Sequence, residues 1–115
     1  MELKQVRQIL KALSDDTRLR IVNLLSKNQL TVNELCEILE KKQSNVSKHL
    51  SRLRLTRIVA DKRIGNNVYY SLAKPAEQTR KILLALVSKS LSGLAASKKD
   101  IKKCNDLSRK GGKKI

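Results

Sequence analysis

Eight of the ten side chains from Gln43 to Arg52 can form hydrogen bonds: Gln43, Ser44, Asn45, Ser47, Lys48, His49, Ser51 and Arg52. The two exceptions are Val46 and Leu50, and with Leu53 they stand at i, i+4 and i+7, the spacing of one buried helical face. At 100° per residue, Ser44, Ser47, Lys48 and Ser51 then lie opposite that face, with Asn45 and Arg52 flanking. Short hydroxyl and amide groups let a helix sit deep in a major groove and bond to base edges, while Lys and Arg reach guanine or phosphate. A helix face selected only for solubility would carry Glu–Lys pairs, but this one has no acid.

A second group of candidates follows. Ile58–Ile64 and Val68–Leu72 are β-rich runs joined by Gly65-Asn66-Asn67, which predicts a hairpin. Lys62, Arg63 and Asn66 stand at or beside its tip, where a wing meets a minor groove or flanking phosphates. Alternation along Val68–Leu72 assigns Tyr69 and Tyr70 to packing within the sheet. A polar helix followed by a basic hairpin forms a reading head for double-stranded DNA.

The elements that must hold this head are short amphipathic helices. Residues 2–13 put Leu3, Val6, Leu10 and Leu13 on one face. The Ser14-Asp15-Asp16-Thr17 cluster breaks that helix and caps the next, about Thr17 to Ser26. Thr31 opens a third helix with Glu34 three residues on, a capping box, and Leu35, Ile38 and Leu39 form its buried side. After Glu40-Lys41-Lys42, the fourth helix runs from about Gln43 to Arg54. A last helix is expected over 75–96, with an apolar stripe from Ile82 to Leu94 too broad for a small cap. With helix 2–13 it predicts a homodimer interface, as two-fold readers of duplex DNA require. The alternative is that it only closes the core of one subunit.

Composition agrees with this reading. Lys and Arg total 26 against 10 Asp and Glu, a formal charge of +16. Residues 1–96 hold 18 basic and 8 acidic side chains; residues 97–115 hold 8 and 2. A polyanion is the natural partner, through release of its counterions. With no Trp or Phe and two Tyr, the chain lacks the stacking platforms of single-strand binders. Residues 1–96 are read as a DNA-binding and dimerisation domain. Residues 97–115 are read as a basic tail, in which the spacing of Ile101, Cys104 and Leu107 allows a short sixth helix before a disordered end.

The chain shows no run long enough to span a membrane and begins on a helical pattern, so a cytoplasmic protein is expected. No nucleophile–base–orienter set and no phosphate-cradling Gly loop is visible, so an enzyme is not expected. Cys36 and Cys104 are read as reduced thiols. In one reading they are packing residues; in the other they form a thiol sensor, with Lys98, Lys99, Lys102 and Lys103 favouring the Cys104 thiolate.

Residues 12–25 (ALSDDTRLRIVNLL) resemble the opening signature of the ArsR/SmtB family of metal-responsive repressors. Val32, Glu34-Leu35, Gln43-Ser44, Val46-Ser47, His49-Leu50 and Leu53 continue the match in register, and so does Val68–Leu72. The resemblance covers about residues 3–94. It implies a mainly α fold of about five helices with a small β-hairpin wing, acting as a homodimeric winged helix-turn-helix repressor whose fourth helix reads an inverted repeat. Departures bear on any inducer. Where many members carry a second thiolate, this chain has Ile38 after Cys36, and one thiolate cannot build a soft-metalloid site. The last helix offers only Glu77 toward a zinc site, so no metal or cofactor is expected. His49, the single histidine, is read as a phosphate or capping contact. Lys42 replaces the usual Ser cap of the reading helix, and Arg57 replaces its terminal Gly. The competing reading is an architectural protein that coats DNA without sequence preference.

Overall fold

In the computed structural model, residues 2–74 and 78–111 are described, with side chains to residue 108. Six helices and one hairpin follow in order: α1 (Leu3–Leu13), α2 (Asp16–Leu25), α3 (Val32–Leu39), α4 (Gln43–Leu55), β1 (Val59–Ile64), β2 (Asn67–Leu72), α5 (Gln78–Ser92) and α6 (Ala95–Gly111). This is a mainly α winged helix-turn-helix.

Local hydrogen bonds set the helix starts. The Asp15 carboxylate accepts from the Arg18 backbone N–H at 3.0 Å and caps α2. At α3, Thr31 Oγ1 accepts from the Glu34 backbone N–H (3.2 Å), while the Thr31 N–H donates to Glu34 Oε1 (2.9 Å). Each satisfies an N–H that the helix itself cannot. Helix α3 ends on Glu40 in the left-handed region (φ 55°), which turns the chain sharply into α4. Lys42 occupies the N-cap of α4 without a side-chain capping bond.

The core is aliphatic. Val46, Leu50 and Leu53 bury the inner face of α4 against Ile21, Val22 and Leu24 of α2 and Leu35, Ile38 and Leu39 of α3. Full burial of each such side chain contributes about 1.5–3 kcal/mol. The hairpin is antiparallel, in register from Val59 opposite Leu72 to Ile64 opposite Asn67. Because Asn67 pairs, the tip is the two residues Gly65 and Asn66 rather than three, and Gly65 supplies the positive φ (62°) that so short a turn needs. Leu30 adds a third rung: its N–H donates to the Tyr70 carbonyl (3.1 Å) and its carbonyl accepts from the Tyr70 N–H (2.7 Å). That rung ties the wing to the segment entering α3.

Two expectations change. The apolar residues of α1 divide between two stripes: Ile9, Ala12 and Leu13 enter the core, while Leu3 and Leu10 stay 80 % and 51 % exposed. The single last helix expected over 75–96 is interrupted. Helix α5 ends at Ser92, the chain turns at Gly93 and Leu94, and α6 begins at Ala95; residues 75–77, with Glu77, lie outside the described residues. Helix α6 packs on α2 and α3, burying Asp100 and Cys104. Asp100 accepts both forks of Arg20 of α2, from Nε at 2.9 Å and from the terminal nitrogen at 2.8 Å. Lys103 bonds to Glu40, at the turn between α3 and α4.

Candidate nucleic-acid interface

Helix α4 rises about 20 Å over its 13 residues, and its outer face is continuous. Gln43, Ser44, Asn45, Lys48, Ser51 and Arg52 are exposed, and Ser47 is half-buried at the margin. Among the described residues of α4 there is no acid. Lys42 gives α4 no side-chain cap, and the positive dipole end of the helix favours an anion there. On the wing, Lys62, Arg63 and Asn66 are all exposed.

Three carboxylates next to α4, Glu40, Asp61 and Asp15, already have partners. Glu40 bonds to Lys103, which holds its carboxyl below the usual range. Asp61 pairs with Arg54 at 3.5 Å. Asp15 is held low first by the Arg18 backbone N–H, and it lies 3.7 Å from His49. Lys48 and Arg52 of the outer face have no carboxylate partner among these three.

His49 differs from its neighbours. Its side chain is 20 % exposed, and its Nδ1 lies 3.2 Å from the terminal nitrogen of Arg18. Arginine only donates, so Nδ1 accepts and the ring is neutral, with its proton on Nε2. Burial pushes the His49 pKa down; Asp15 opposes that shift, and Arg18, Lys41 and Lys48 add to it. Arg18 also donates from Nε to the Ala12 carbonyl at 2.5 Å. Sequence reasoning passed over Arg18, because its partners lie 6 and 31 residues away.

The two cysteines lie on packed helices. Cys36 of α3 is half-buried, and burial pushes its thiol up; Cys104 of α6 is 1 % exposed. For Cys36 that environment disfavours the thiolate. Among the described residues, no three His, Cys, Asp or Glu side chains gather as metal ligands, and no helix is long and apolar enough to cross a membrane.

Residues 15–61 match the family described as bacterial regulatory protein, arsR family. The transcriptional repressor SmtB homolog of Synechocystis is 39 % identical over 72 residues, which cover 63 % of this chain and 54 % of that protein. The transcriptional repressor PagR of Bacillus anthracis is 37 % identical over 76 residues, covering 65 % of this chain and 76 % of PagR. Its crystal structure superposes with a TM-score of 0.62 at 32 % identity, over 74 % of this chain and 94 % of that one. A solution structure from Mycobacterium bovis, the homodimeric winged helix-turn-helix DNA-binding domain Mb0332, superposes with a TM-score of 0.64 at 27 % identity, over 81 % and 87 % of the two chains. The chain spans 54–62 % of the length of several curated relatives it matches.

Proposed function

This chain belongs to the arsR family of bacterial regulatory proteins, and we propose that it represses transcription as a homodimer that reads an inverted repeat in duplex DNA. Helix α4 enters the major groove, and the β1–β2 hairpin follows the backbone beside it. The observation that carries this reading is the outer face of α4: hydroxyls, amides and cations without an acid, flanked by carboxylates already tied to Arg54, Arg18 and Lys103. Ser44, Asn45, Ser47, Lys48 and Ser51 approach base edges, with Gln43 and Arg52 at the margins. Lys62, Arg63 and Asn66 meet phosphates or the minor groove. His49 acts from the inner edge of the helix, through its Nε2–H or by holding α4 on Arg18.

The dimer is supported by exposed apolar side chains on the two helices expected to form it: Leu3 and Leu10 on α1, Ile82 and Leu86 on α5. Exposed apolar side chains of this size mark an interface. The homodimeric Mb0332 domain shares the fold. Selection from a pool of randomised duplexes tests the reading. Two half-sites in inverted orientation, with centres a whole number of turns apart (about 10 bp per turn), are expected. The formal charge of +16 favours the second reading, a DNA-coating protein, which predicts no enriched motif.

A further inference from the structure

Helix α6 lies against α3 beside Glu40-Lys41-Lys42, the turn that leads into α4. Cys104 enters the core, Ile101 and Leu107 pack against it, and Asp100 ties the same face of α6 to Arg20 of α2. These contacts fix how the rest of the helix is turned. Lys98, Lys99 and Lys102 are exposed, while Lys103, at the edge of the packed face, bonds to Glu40. At 100° per residue Lys99 stands about 40° round the helix from Lys103, one turn back on the same flank, whereas Lys98 is about 140° away. The Glu40 carboxyl registers both neighbours: Lys103 lowers its pKa most, and Lys99 and Arg20 add to the shift.

The turn into α4 therefore collects Lys41, Lys42 and Lys99 around a carboxylate that Lys103 already neutralises. The positive dipole end of α4 lies at the same place. The acids of α6 do not oppose this charge. Asp100 is buried on Arg20, and Asp106 sits about 10 Å further along the helix axis than Lys99. The first residues of a recognition helix reach base edges, so the turn before it borders the strand that walls the groove. The wing leaves from the other end of α4, at Val59. Helix α6 and the hairpin thus stand at opposite ends of α4.

We propose that α6 is a third DNA-contacting element, in which Lys103 neutralises Glu40 at the entrance to α4 and Lys99 takes a backbone phosphate on the side away from the wing. The inference rests on the proposed function, because it requires α4 to face duplex DNA. Such a contact positions the protein without reading sequence, and a lysine on a docked helix meets it as a point charge.

The test is the salt dependence of duplex binding by the full chain, measured by fluorescence anisotropy on the region upstream of its own gene and on a scrambled duplex. In Lys99→Gln the slope of log affinity against log salt should shrink by about one, with both duplexes weakened by the same factor. Lys98→Gln removes the same charge from the far flank and should leave the slope at the parent's value. Lys103→Gln should weaken binding, and adding Glu40→Gln should restore it, because the carboxylate that Lys103 neutralised is then gone. Thermal midpoints near the parent's confirm that each variant folds. An unchanged slope in Lys99→Gln overturns the proposal. So do equal losses in Lys98→Gln and Lys99→Gln, which would mean a diffuse basic surface, and a Lys103→Gln defect that is absent or that Glu40→Gln leaves in place. A parent that binds neither duplex removes the repressor reading itself, whereas a parent that binds and shows none of these losses removes only the role of α6.

Discussion

The guanidinium of Arg18 lies 3.2 Å from Nδ1 of His49 and donates on its other side to the Ala12 carbonyl, so one side chain joins the last turn of α1, the first turn of α2 and the middle of α4. Helix α4 is thereby held by a directional polar contact as well as by its buried Val46, Leu50 and Leu53. Protonation of His49 would turn the acceptor of that contact into a second cation beside Arg18.

A pH dependence follows. His49 titrates below the ordinary 6.5 in the folded chain, chiefly because it is partly buried. Below pH 6.5 the unfolded chain therefore binds more protons than the folded one. The stability due to neutral His49 is fully present above that value and falls as the pH drops toward the folded pKa. Asp15 is held below 3.8, so it stays ionised in that window. Urea midpoints at pH 7.5 and 5.5 should fall more for the parent than for His49→Gln. Equal falls would contradict the Arg18–His49 arrangement.

The bidentate Arg20–Asp100 pair docks α6 on α2 with the Asp100 side chain 2 % exposed. Removing one partner of such a pair leaves a desolvated charge. Asp100→Ala should cost about 3 kcal/mol, at the low end for buried pairs because Arg20 remains a third exposed. Arg20→Met with Asp100→Leu should cost clearly less. Chemical denaturation of the three proteins measures both, and a loss below about 0.5 kcal/mol for Asp100→Ala would mean that α6 is held by its apolar contacts alone.

Leu86 is 61 % exposed and Ile82 58 % exposed on α5. Leu86→Glu should leave the helical circular dichroism and the thermal transition of the subunit near the parent's while converting a dimer to a monomer in sedimentation equilibrium. Duplex affinity should then drop by about a hundredfold or more, since each half-site would be held alone. A dimer that survives the substitution would shift the interface away from α5.

Much of the fold was legible because its determinants are local. The Thr31–Glu34 capping box and the Val46, Leu50, Leu53 spacing are read within one or two turns, and both stand in the structure. What escaped is long-range. Helix α6 docks through Asp100 and Arg20, 80 residues apart, and a Lys-rich segment offers no periodic signal strong enough to predict 17 helical residues. The interruption at Gly93 was open to view in the sequence, yet the apolar stripe around it favoured one continuous helix. On α4, rotation by 100° per residue predicted the exposed polar face. It did not predict that His49 would turn toward Arg18, whose reach across α2 depends on tertiary packing.

The most direct test of the account is the ratio of duplex affinities, measured by fluorescence anisotropy on the region upstream of the protein's own gene and on a scrambled duplex at the same moderate salt. The account predicts a preference of about a thousandfold or more for the parent, collapsing toward the nonspecific value when Ser44, Ser47 and Lys48 are replaced together by Ala. A preference that survives the triple substitution would contradict a reading head built on the outer face of α4.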